Sequence, residues 1–148
     1  MNWYAKPFHE LTTRELYDLL QLRQEVFVVE QTCPYLDADG KDFYAWHLFA
    51  YNGAKQMVAC ARVFLPELLS REVRIGRVVS SPRVRGQGIG RELMHQALAF
   101  CAHHAPQITV VLSAQTYLRE FYASFGFIEV GEEYLEDDIP HIDMERPA

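Results

Sequence analysis

The pattern of apolar and polar positions predicts a strand and then a helix at the start of the chain. An aromatic-rich run at residues 3–8 predicts a first strand. Thr12-x-x-Glu15 then has the form of a capping box, and apolar residues recur at helical spacing to about Gln31. This spacing predicts one helix, or two helices broken nearby. Cys33-Pro34 ends the helical segment, and the polar stretch to Asp42 predicts a loop suited to shaping a binding site.

The rest of the chain predicts six further strands and two further helices. Apolar runs predict strands at residues 46–51, 56–65, 73–80, 109–113, 127–136 and 141–146. Asn52-Gly53 is a hairpin signal between the first two of these strands, and residues 137–140 form the turn between the last two. A helical period begins at Ile89 and ends near residues 103–106, and a short helix is predicted at residues 116–125. No repeat or linker interrupts this order, so we expect one domain, residues 1–148, with a mixed α/β sheet and helices on both faces.

Composition is that of an ordinary globular protein. The 148 residues are 49% apolar and 23% charged, and a chain of this length can bury a sizeable core. No apolar stretch approaches the length of a membrane span, and the first residues lack the features of a signal peptide, so we expect a cytoplasmic protein without membrane association. Cys33, Cys60 and Cys101 are widely spaced, which favours reduced thiols over a disulfide framework or a zinc site.

Charge is distributed unevenly along a chain whose formal net charge is -6. Residues 71–91 contain six arginines and one acid, whereas residues 129–145 contain eight acids and no Lys or Arg. The basic stretch suits a polyphosphate ligand, and the acidic stretch either attracts a cationic amine or is a solvated surface. No broad basic face is present, so nucleic-acid binding is not expected. Asp37, Asp39 and Asp42 lack the other ligand positions of a calcium loop, and no metal site is expected.

The glycines of residues 85–90 form the most informative motif. The segment Arg85-Gly86-Gln87-Gly88-Ile89-Gly90 follows the predicted strand at 73–80 and opens the next helix. Glycines let the backbone approach a ligand closely, and the first amides of a helix are unpaired donors that favour an anion. A nucleotide P-loop would place Lys and then Ser or Thr after the last glycine, where this chain has Arg91-Glu92, and a dinucleotide fingerprint spaces its glycines differently. The pattern therefore predicts a pyrophosphate loop or a tight turn with a helix cap.

Two motifs in this order resemble those of a known family. Arg85-x-x-Gly88-x-Gly90 resembles motif A of the GCN5-related N-acetyltransferases, the GNAT family, in which the loop binds the pyrophosphate of acetyl-coenzyme A. Residues 121–127, Phe-Tyr-Ala-Ser-Phe-Gly-Phe, resemble motif B, in which a short helix carrying a tyrosine ends at a glycine before a strand. Segments at 23–31, 33–35, 39–42, 75–78 and 139–142 are similar to the ElaA-like acetyltransferases and are spread along most of the chain.

The resemblance implies the GNAT acyl-CoA N-acyltransferase fold, a central mixed sheet flanked by helices. It also implies transfer of an acetyl group from acetyl-CoA, as co-substrate, to a primary amine of an unidentified small molecule or peptide. The amine attacks directly, through a tetrahedral intermediate, and Tyr122 is implied as the general acid that protonates the departing thiolate. Taken alone, Tyr122 could equally have a packing role. The implied cofactor-binding residues are Val78, Val79, Ser80, Arg85, Gly86, Gln87, Gly88, Ile89, Gly90, Arg91, Gln115 and Tyr122.

The base that removes the amine proton has four candidates besides water. Glu72 lies thirteen residues before Arg85, a spacing that resembles the catalytic glutamate of the histone-acetylating GNAT members. Glu30, His47 and His141 are alternatives, and we expect these three residues on the side of the site that binds the acceptor. Histidine suits the task because its unperturbed pKa lies near neutrality.

Two classes of function are compatible with these patterns. The first is an N-acetyltransferase whose partners are acetyl-CoA and an amine acceptor, acting as a monomer or a homodimer. The second is a non-catalytic acyl-CoA-binding module that contacts a partner protein through the acidic C-terminal hairpin. The presence of a tyrosine at position 122 favours the enzyme.

Overall fold

The computed structural model describes residues 1–67 and 71–148, and these residues form a seven-stranded sheet with the strand order β1-β2-β3-β4-β5-β7-β6. The strands are β1 (Asn2–Pro7), β2 (Trp46–Tyr51), β3 (Met57–Phe64), β4 (Val73–Ser80), β5 (Val110–Gln115), β6 (Ile128–Glu136) and β7 (Ile139–Arg146). Neighbouring strands are antiparallel except β4 and β5, which run parallel. The predicted mixed sheet is thereby confirmed.

The helices connect these strands and cover the sheet. They are α1 (Thr13–Arg23), a π-helix (Gln24–Glu30), α2 (Ile89–His104) and α3 (Arg119–Ala123), with short 3-10 helices at Phe8–Glu10, Asp42–Tyr44, Pro82–Val84 and Thr116–Leu118. The predicted helix at residues 116–125 is therefore a 3-10 turn followed by the short α3. Within the described ranges, none of these helices combines the length and the apolar character needed to cross a membrane.

The first helical segment begins as predicted and then widens instead of stopping. The Thr12 hydroxyl accepts the Glu15 N–H at 3.0 Å, and the Glu15 carboxylate accepts the Thr12 N–H at 2.9 Å, which completes the capping box. Beyond Arg23 the backbone hydrogen bonds join residues five positions apart. An example is the 3.0 Å bond from the Gln31 N–H to the Val26 carbonyl. Such π-helical turns are rare and often lie at functional sites.

Both predicted hairpins form, but their turns differ in detail from the prediction. The β2–β3 connection is longer than a two-residue Asn-Gly turn, because the Asn52 side chain accepts hydrogen bonds from the Ala54 and Gln56 N–H groups and Lys55 takes the positive φ. At the β6–β7 turn Asp137 and Asp138 have φ angles of 52° and 63°, so β7 begins two residues earlier than predicted.

Helices pack on both faces of the sheet, as the order of the predicted elements indicated. On one face, the α2 face, residues of α2 and α3 pack with apolar side chains of β4, β5 and β7. On the opposite face, the α1 face, residues of α1 pack on Phe49, Cys60 and Val79. The α1 face of β6 and β7 stays open, since the side chains of Val130 and Asp143 there are exposed.

A gap opens between β4 and β5 toward their C-terminal ends. Their register pairs in the described residues are Val73 with Val110 and Arg74 with Val111, both at the start of the strands. Farther along, β4 contains one residue more than β3 between two successive register pairs, and Arg77 at this bulge has a φ of 50°. Bulges bend strands and add twist, so the bulge directs β4 away from β5.

A buried group of three arginines and three aspartates holds the segment after the π-helix against the sheet. This arginine–aspartate cluster consists of Arg23, Asp37, Asp39, Asp42, Arg62 and Arg77. The Arg23 side chain in α1 is 1% exposed, and its Nε and Nη1 atoms donate to Asp37 at 2.7 Å and to Asp42 at 2.8 Å. Arg62 in β3 and Arg77 in β4 complete the cluster, so it joins one helix, one loop and two strands.

The arginines also keep the Asp39 and Asp42 carboxylates ionised. Burial by itself would raise the pKa of Asp42, but hydrogen bonds and charges of Arg23 and Arg62 outweigh it and lower that pKa below its usual range. Hydrogen bonds from Arg62 likewise hold the pKa of Asp39 well below its usual range. Because both pKa values are depressed in the folded state, the stabilisation is complete above the unfolded pKa of about 3.9 and is lost as the pH falls through the folded values.

We expect Asp42→Ala to lower the free energy of unfolding by about 3–5 kcal/mol at pH 7, because it leaves two buried guanidinium groups without one of their carboxylates. Urea denaturation measures this change. Arg14→Ala is the control, since it breaks the Arg14–Asp18 pair, whose arginine side chain is 80% exposed, and should cost less than about 1 kcal/mol. Equal midpoints for the two variants would contradict the stabilising role of the cluster.

Candidate active site

A cavity of about 760 Å³ lies between the diverging ends of β4 and β5. This volume is in the range of small-molecule sites, which combine apolar walls with a few convergent polar groups. Its walls come from the π-helix, the loop after it, β4, the glycine loop, β5, α3 and the β6–β7 turn. Lining residues with polar side chains include Glu30, Gln31, Cys33, Tyr35, Asp37, Arg74, Ser80, Arg85, Ser113, Gln115, Tyr122, Asp137 and His141.

The glycine loop presents backbone and open space at one end of this cavity. Gly86 and Gly88 have φ angles of 81° and 77°, a region that L side chains rarely adopt, and Gly88 is the N-cap of the 16-residue α2. A Cβ built on either glycine would meet nothing within 4 Å. A ligand can therefore reach the first N–H groups of α2, which lack partners inside the helix.

The arginines around this loop already contact other side chains. Arg85 makes a two-pronged ion pair with Glu30, at 2.5 and 2.7 Å, which joins the loop to the π-helix. Hydrogen bonds from Arg85 lower the pKa of Glu30, so this carboxylate is ionised at neutral pH. Arg91 lies over the Phe125 ring at 4.7 Å and donates to the Ser124 hydroxyl at 3.2 Å.

Tyr122 is a buried phenol at the wall of the cavity. It is 5% exposed, and its ring packs edge-on against Phe121 and Phe127. Among the described residues its hydroxyl has no hydrogen-bond partner, yet the oxygen is not fully enclosed. Burial raises the pKa of Tyr122, so the phenol stays protonated at physiological pH. The arrangement leaves a protonated donor in contact with the cavity.

The amide of Gln115 closes one side of the cavity. Gln115, the last residue of β5, donates to the Gln31 side chain at 3.1 Å and accepts from it at 3.4 Å. This reciprocal pair joins β5 to the end of the π-helix. Gln115 therefore lies at the cavity, where the sequence placed it, with Gln31 as a partner that the sequence did not reveal.

On the α1 face, the loop after the π-helix meets the β6–β7 turn. The Tyr35 hydroxyl donates to Asp138 at 2.8 Å, and the Cys33 thiol lies 3.6 Å from the Asp137 carbonyl oxygen. His141 lines the same part of the cavity and has its Nδ1 atom 2.7 Å from the Ile139 carbonyl oxygen. These contacts join the loop after the π-helix to the β6–β7 turn on this side of the cavity.

Seven predicted site residues are not among those that line the cavity: Gly86, Gln87, Gly88, Ile89, Arg91, Glu72 and His47. Glu72 is exposed and directly precedes β4, so about 20 Å of strand separates it from Val78 at the gap. His47 in β2 is 0% exposed, and its Nε2 atom lies 2.9 Å from the Asp42 carbonyl oxygen beneath the loop. Burial lowers the pKa of His47. Glu72, the predicted base, and His47, expected on the acceptor side, therefore lie away from the cavity, whereas Glu30 and His141 line it.

Other residues of the site were missed by the sequence. Ser113 lines the cavity from the α1 face of β5 and contacts the Tyr134 hydroxyl. The signal for Ser113 was present, since it is a polar residue between buried Leu112 and Ala114 in an apolar strand. The position of Tyr134 depends on the register of the last hairpin. Because the pairing of this hairpin is irregular, sequence patterns do not predict that register.

Acidic side chains in this region bind guanidinium groups and are not arranged around a metal. Asp37, Asp39 and Asp42 all pair with arginines of the cluster. In residues 1–67 and 71–148, no three His, Cys, Asp or Glu side chains are grouped so that they could hold a metal ion.

Known proteins match nearly the whole chain. Residues 40–147 match the family model described as acetyltransferase (GNAT) domain. The chain is 45% identical to Protein ElaA of Escherichia coli (strain K12) over 148 residues, covering 99% of this chain and 96% of ElaA. The crystal structure of Escherichia coli ElaA superposes with a TM-score of 0.91 and covers 98% of both chains. The crystal structure of an acyl-CoA N-acyltransferase from Pseudomonas aeruginosa superposes with a TM-score of 0.93 at 47% identity and covers 99% of both chains.

Thiol labelling tests the walls of the cavity. We expect a maleimide to modify Cys33 in the native protein, because this thiol is only partly buried, and to modify Cys60 and Cys101 only after unfolding. Burial raises the pKa of Cys60 to about 12 and that of Cys101 to about 11. Burial and the charge of Asp137 also raise the pKa of Cys33, so its labelling rate should increase with pH, as the thiolate is the reactive form.

Intact mass spectrometry counts the modified thiols before and after denaturation. Cys33→Ser should abolish native labelling. Rapid modification of a second cysteine in the folded protein would contradict the described packing.

Proposed function

Because the chain belongs to the GNAT acetyltransferase family and has ElaA among its relatives, we propose that it is an acetyl-CoA-dependent N-acetyltransferase. Its acceptor is a primary amine of a small molecule or peptide, and residues 1–148 serve as one catalytic domain. One observation carries the proposal: Arg85 and Gly90 of the glycine loop and the unpartnered Tyr122 hydroxyl border the same cavity at the gap between β4 and β5. The Pseudomonas aeruginosa neighbour, described as an acyl-CoA N-acyltransferase, supports acyl transfer.

The glycine loop fits the diphosphate of coenzyme A. The N-terminal amides of α2 offer hydrogen bonds and a favourable dipole to an anion, and the open space at Gly86 and Gly88 lets it approach. Ion pairing of Arg85 with Glu30 means that backbone groups supply most of this attraction.

The strand beside the gap fits the amide-containing arm of the co-substrate. After Arg74, β4 has no register pair with β5, so its backbone groups on that side face the cavity at Val78, Val79 and Ser80. Buried backbone groups need hydrogen-bond partners, and an extended chain that carries amides supplies them. The same segment offers an N–H group to the thioester oxygen, on which negative charge develops during attack.

Acetyl transfer then places a separate demand on Tyr122. The amine nitrogen bonds to the thioester carbon, the C–S bond breaks, and the sulfur leaves as a thiolate unless it receives a proton. The Tyr122 hydroxyl is the protonated donor at the cavity wall and serves as the general acid. Glu30 and His141 lie on the acceptor side, where they contribute to amine binding.

Removing this hydroxyl tests the catalytic role directly. We expect Tyr122→Phe to lower kcat about 100-fold while acetyl-CoA still binds, because the substitution keeps the packed ring and removes only the proton donor. The assay follows thiol release from acetyl-CoA with spermidine, lysine peptides, amino acids and an aminoglycoside as acceptors. Tyr17→Phe, at a phenol that is 70% exposed on α1, is the control.

Three outcomes would contradict the proposal or part of it. The absence of thiol release by the wild-type protein with every amine would count against N-acetylation. Full activity of Tyr122→Phe would remove Tyr122 from the mechanism, and tight acetyl-CoA binding without any turnover would favour an acyl-CoA-binding module.

A pair of glycine substitutions tests the diphosphate loop. We expect Gly88→Val to weaken acetyl-CoA binding at least about tenfold, because its side chain occupies the open space before the α2 amides. Gly131→Val is a matched control, since Gly131 has a φ of 80° and equally open surroundings but lies in β6. Both substitutions strain the backbone alike, so a difference in acetyl-CoA affinity between the two variants reports on the position of the glycine. Titration calorimetry measures this affinity. Equal affinities would contradict the assignment of the loop.

A further inference from the structure

A continuous chain of hydrogen bonds leads from the cavity to the open α1 face of the sheet. Ser113 in β5 lines the cavity, and its hydroxyl contacts the hydroxyl of Tyr134 in β6. The Tyr134 hydroxyl donates to the Asp143 carboxylate in β7 at 2.6 Å. Asp143 is exposed to solvent, so three strands each contribute one member to a connection between the cavity and bulk water.

The proton inventory fixes the direction of this chain. Tyr134 has one hydroxyl proton, and it donates that proton to Asp143. Ser113 must therefore donate its own proton to the Tyr134 oxygen. Both lone pairs of the Ser113 oxygen then remain available to accept a hydrogen bond from a donor in the cavity. Both hydroxyl groups of the chain donate outward and Asp143 accepts, which is the arrangement required for moving a proton out of the cavity.

The fold places these groups together through an irregularity in the last hairpin. Between the register pairs Val130–Asp143 and Tyr134–His141, β6 advances four residues while β7 advances two. Gly131, with a φ of 80°, lies in this bulge. Because a bulge re-aims the side chains beside it, the Tyr134 hydroxyl reaches Asp143 in the adjacent strand β7 and, across β7, Ser113 in β5.

We propose that Ser113, Tyr134 and Asp143 form a proton relay, an inference that rests on the proposed acetyl transfer. The relay takes the extra proton that the acceptor amine carries as an ammonium ion. The amine gives its proton to the Ser113 oxygen, Ser113 passes its proton to Tyr134, and Tyr134 passes its proton to the Asp143 carboxylate, which releases it to water. Ser113 and Tyr134 end with as many protons as they began with. Ser113 is the catalytic residue, because it touches the amine, and the other two act through it.

Three acids at the cavity, Glu30, Asp37 and Asp39, are less suited to this step. Glu30 is held by Arg85, and Asp37 and Asp39 are held by arginines of the cluster, so protonation of any of them would weaken an ion pair. Glu72 and His47 do not line the cavity. The relay ends instead at a carboxylate without an arginine partner in the described part of the chain.

The surroundings of the relay keep Tyr134 neutral. Burial and the hydrogen bond to Asp143 raise the pKa of Tyr134, so it transmits a proton without ionising. On β7 the charged or titratable residues beside Asp143 on this face are His141 and Glu145. On β6 they are Tyr134 and Glu136, and the Glu136 Oε2 atom lies 3.4 Å from the His141 Nε2 atom. The side chains that β5 contributes to this face are uncharged: Val111, Ser113 and Gln115.

The pH dependence of kcat distinguishes a relay from a structural role. We expect Tyr134→Phe and Asp143→Asn to lower kcat about 100-fold at pH 7 with acetyl-CoA and the most rapidly acetylated amine of the panel. The deficit should shrink as the pH rises through the pKa of that amine, because the amine then arrives neutral. Ser113→Ala should behave in the same way, and acetyl-CoA affinity should not change in any of the three.

Glu145→Gln is the matched control, since it removes one carboxylate from the same face of the same strand, two residues from Asp143. It should follow the wild-type pH profile. Thermal melting of all variants checks that they fold. Tyr134→Phe keeps the ring stacked on His141, so this variant still tests the relay if another variant unfolds.

The possible failures are distinguishable. If the wild-type protein releases no thiol with any amine, acetyl transfer itself fails, whatever the variants do. If the wild-type protein is active and the relay variants match Glu145→Gln at every pH, or lose activity equally at all pH values, the relay is overturned. A pH-dependent deficit in His141→Gln, with none in Tyr134→Phe, would assign the proton to His141 and overturn it as well.

Discussion

Burying the guanidinium group of Arg23 requires carboxylates, and these carboxylates decide where the segment after the π-helix lies. Arg23 binds Asp37 and Asp42 beneath that segment, and Arg62 extends the contact to β3. A buried charge is tolerated only with such partners, so the segment cannot leave the sheet without exposing an unpaired ion. Because the same segment forms one wall of the cavity, the shape of the acceptor side depends on this cluster.

Within this frame the site is built mainly from hydrogen-bonding groups that the fold leaves without partners. The divergence of β4 from β5 removes ladder partners from one edge of β4, and the start of α2 adds unpaired amides near Gly88. The Tyr122 hydroxyl adds a donor at the same gap. The proposed co-substrate carries a diphosphate, amides and a thioester in one linear chain, and these are the groups that such unpaired donors would bind.

Electrostatic arguments based on residue counts change once pairs are visible. The six arginines of residues 71–91 suggest a strongly basic site for a polyphosphate. In the fold Arg77 binds Asp37 and Arg85 binds Glu30, so two of these charges are compensated within the protein. The acidic C-terminal hairpin is likewise more than a solvated surface, because Asp143 accepts a hydrogen bond from Tyr134 in a chain that reaches the cavity.

The sequence by itself determined the strand and helix order, the capping box at Thr12, the glycine loop and the position of Tyr122. These features are local, since periodicity, glycine content and helix-start signals act over a few residues. Only the tertiary structure decided that Glu72 and His47 lie away from the cavity and that Ser113 and Tyr134 meet there. Their placement depends on strand register, a bulge and long-range ion pairs, which arise from packing between distant segments.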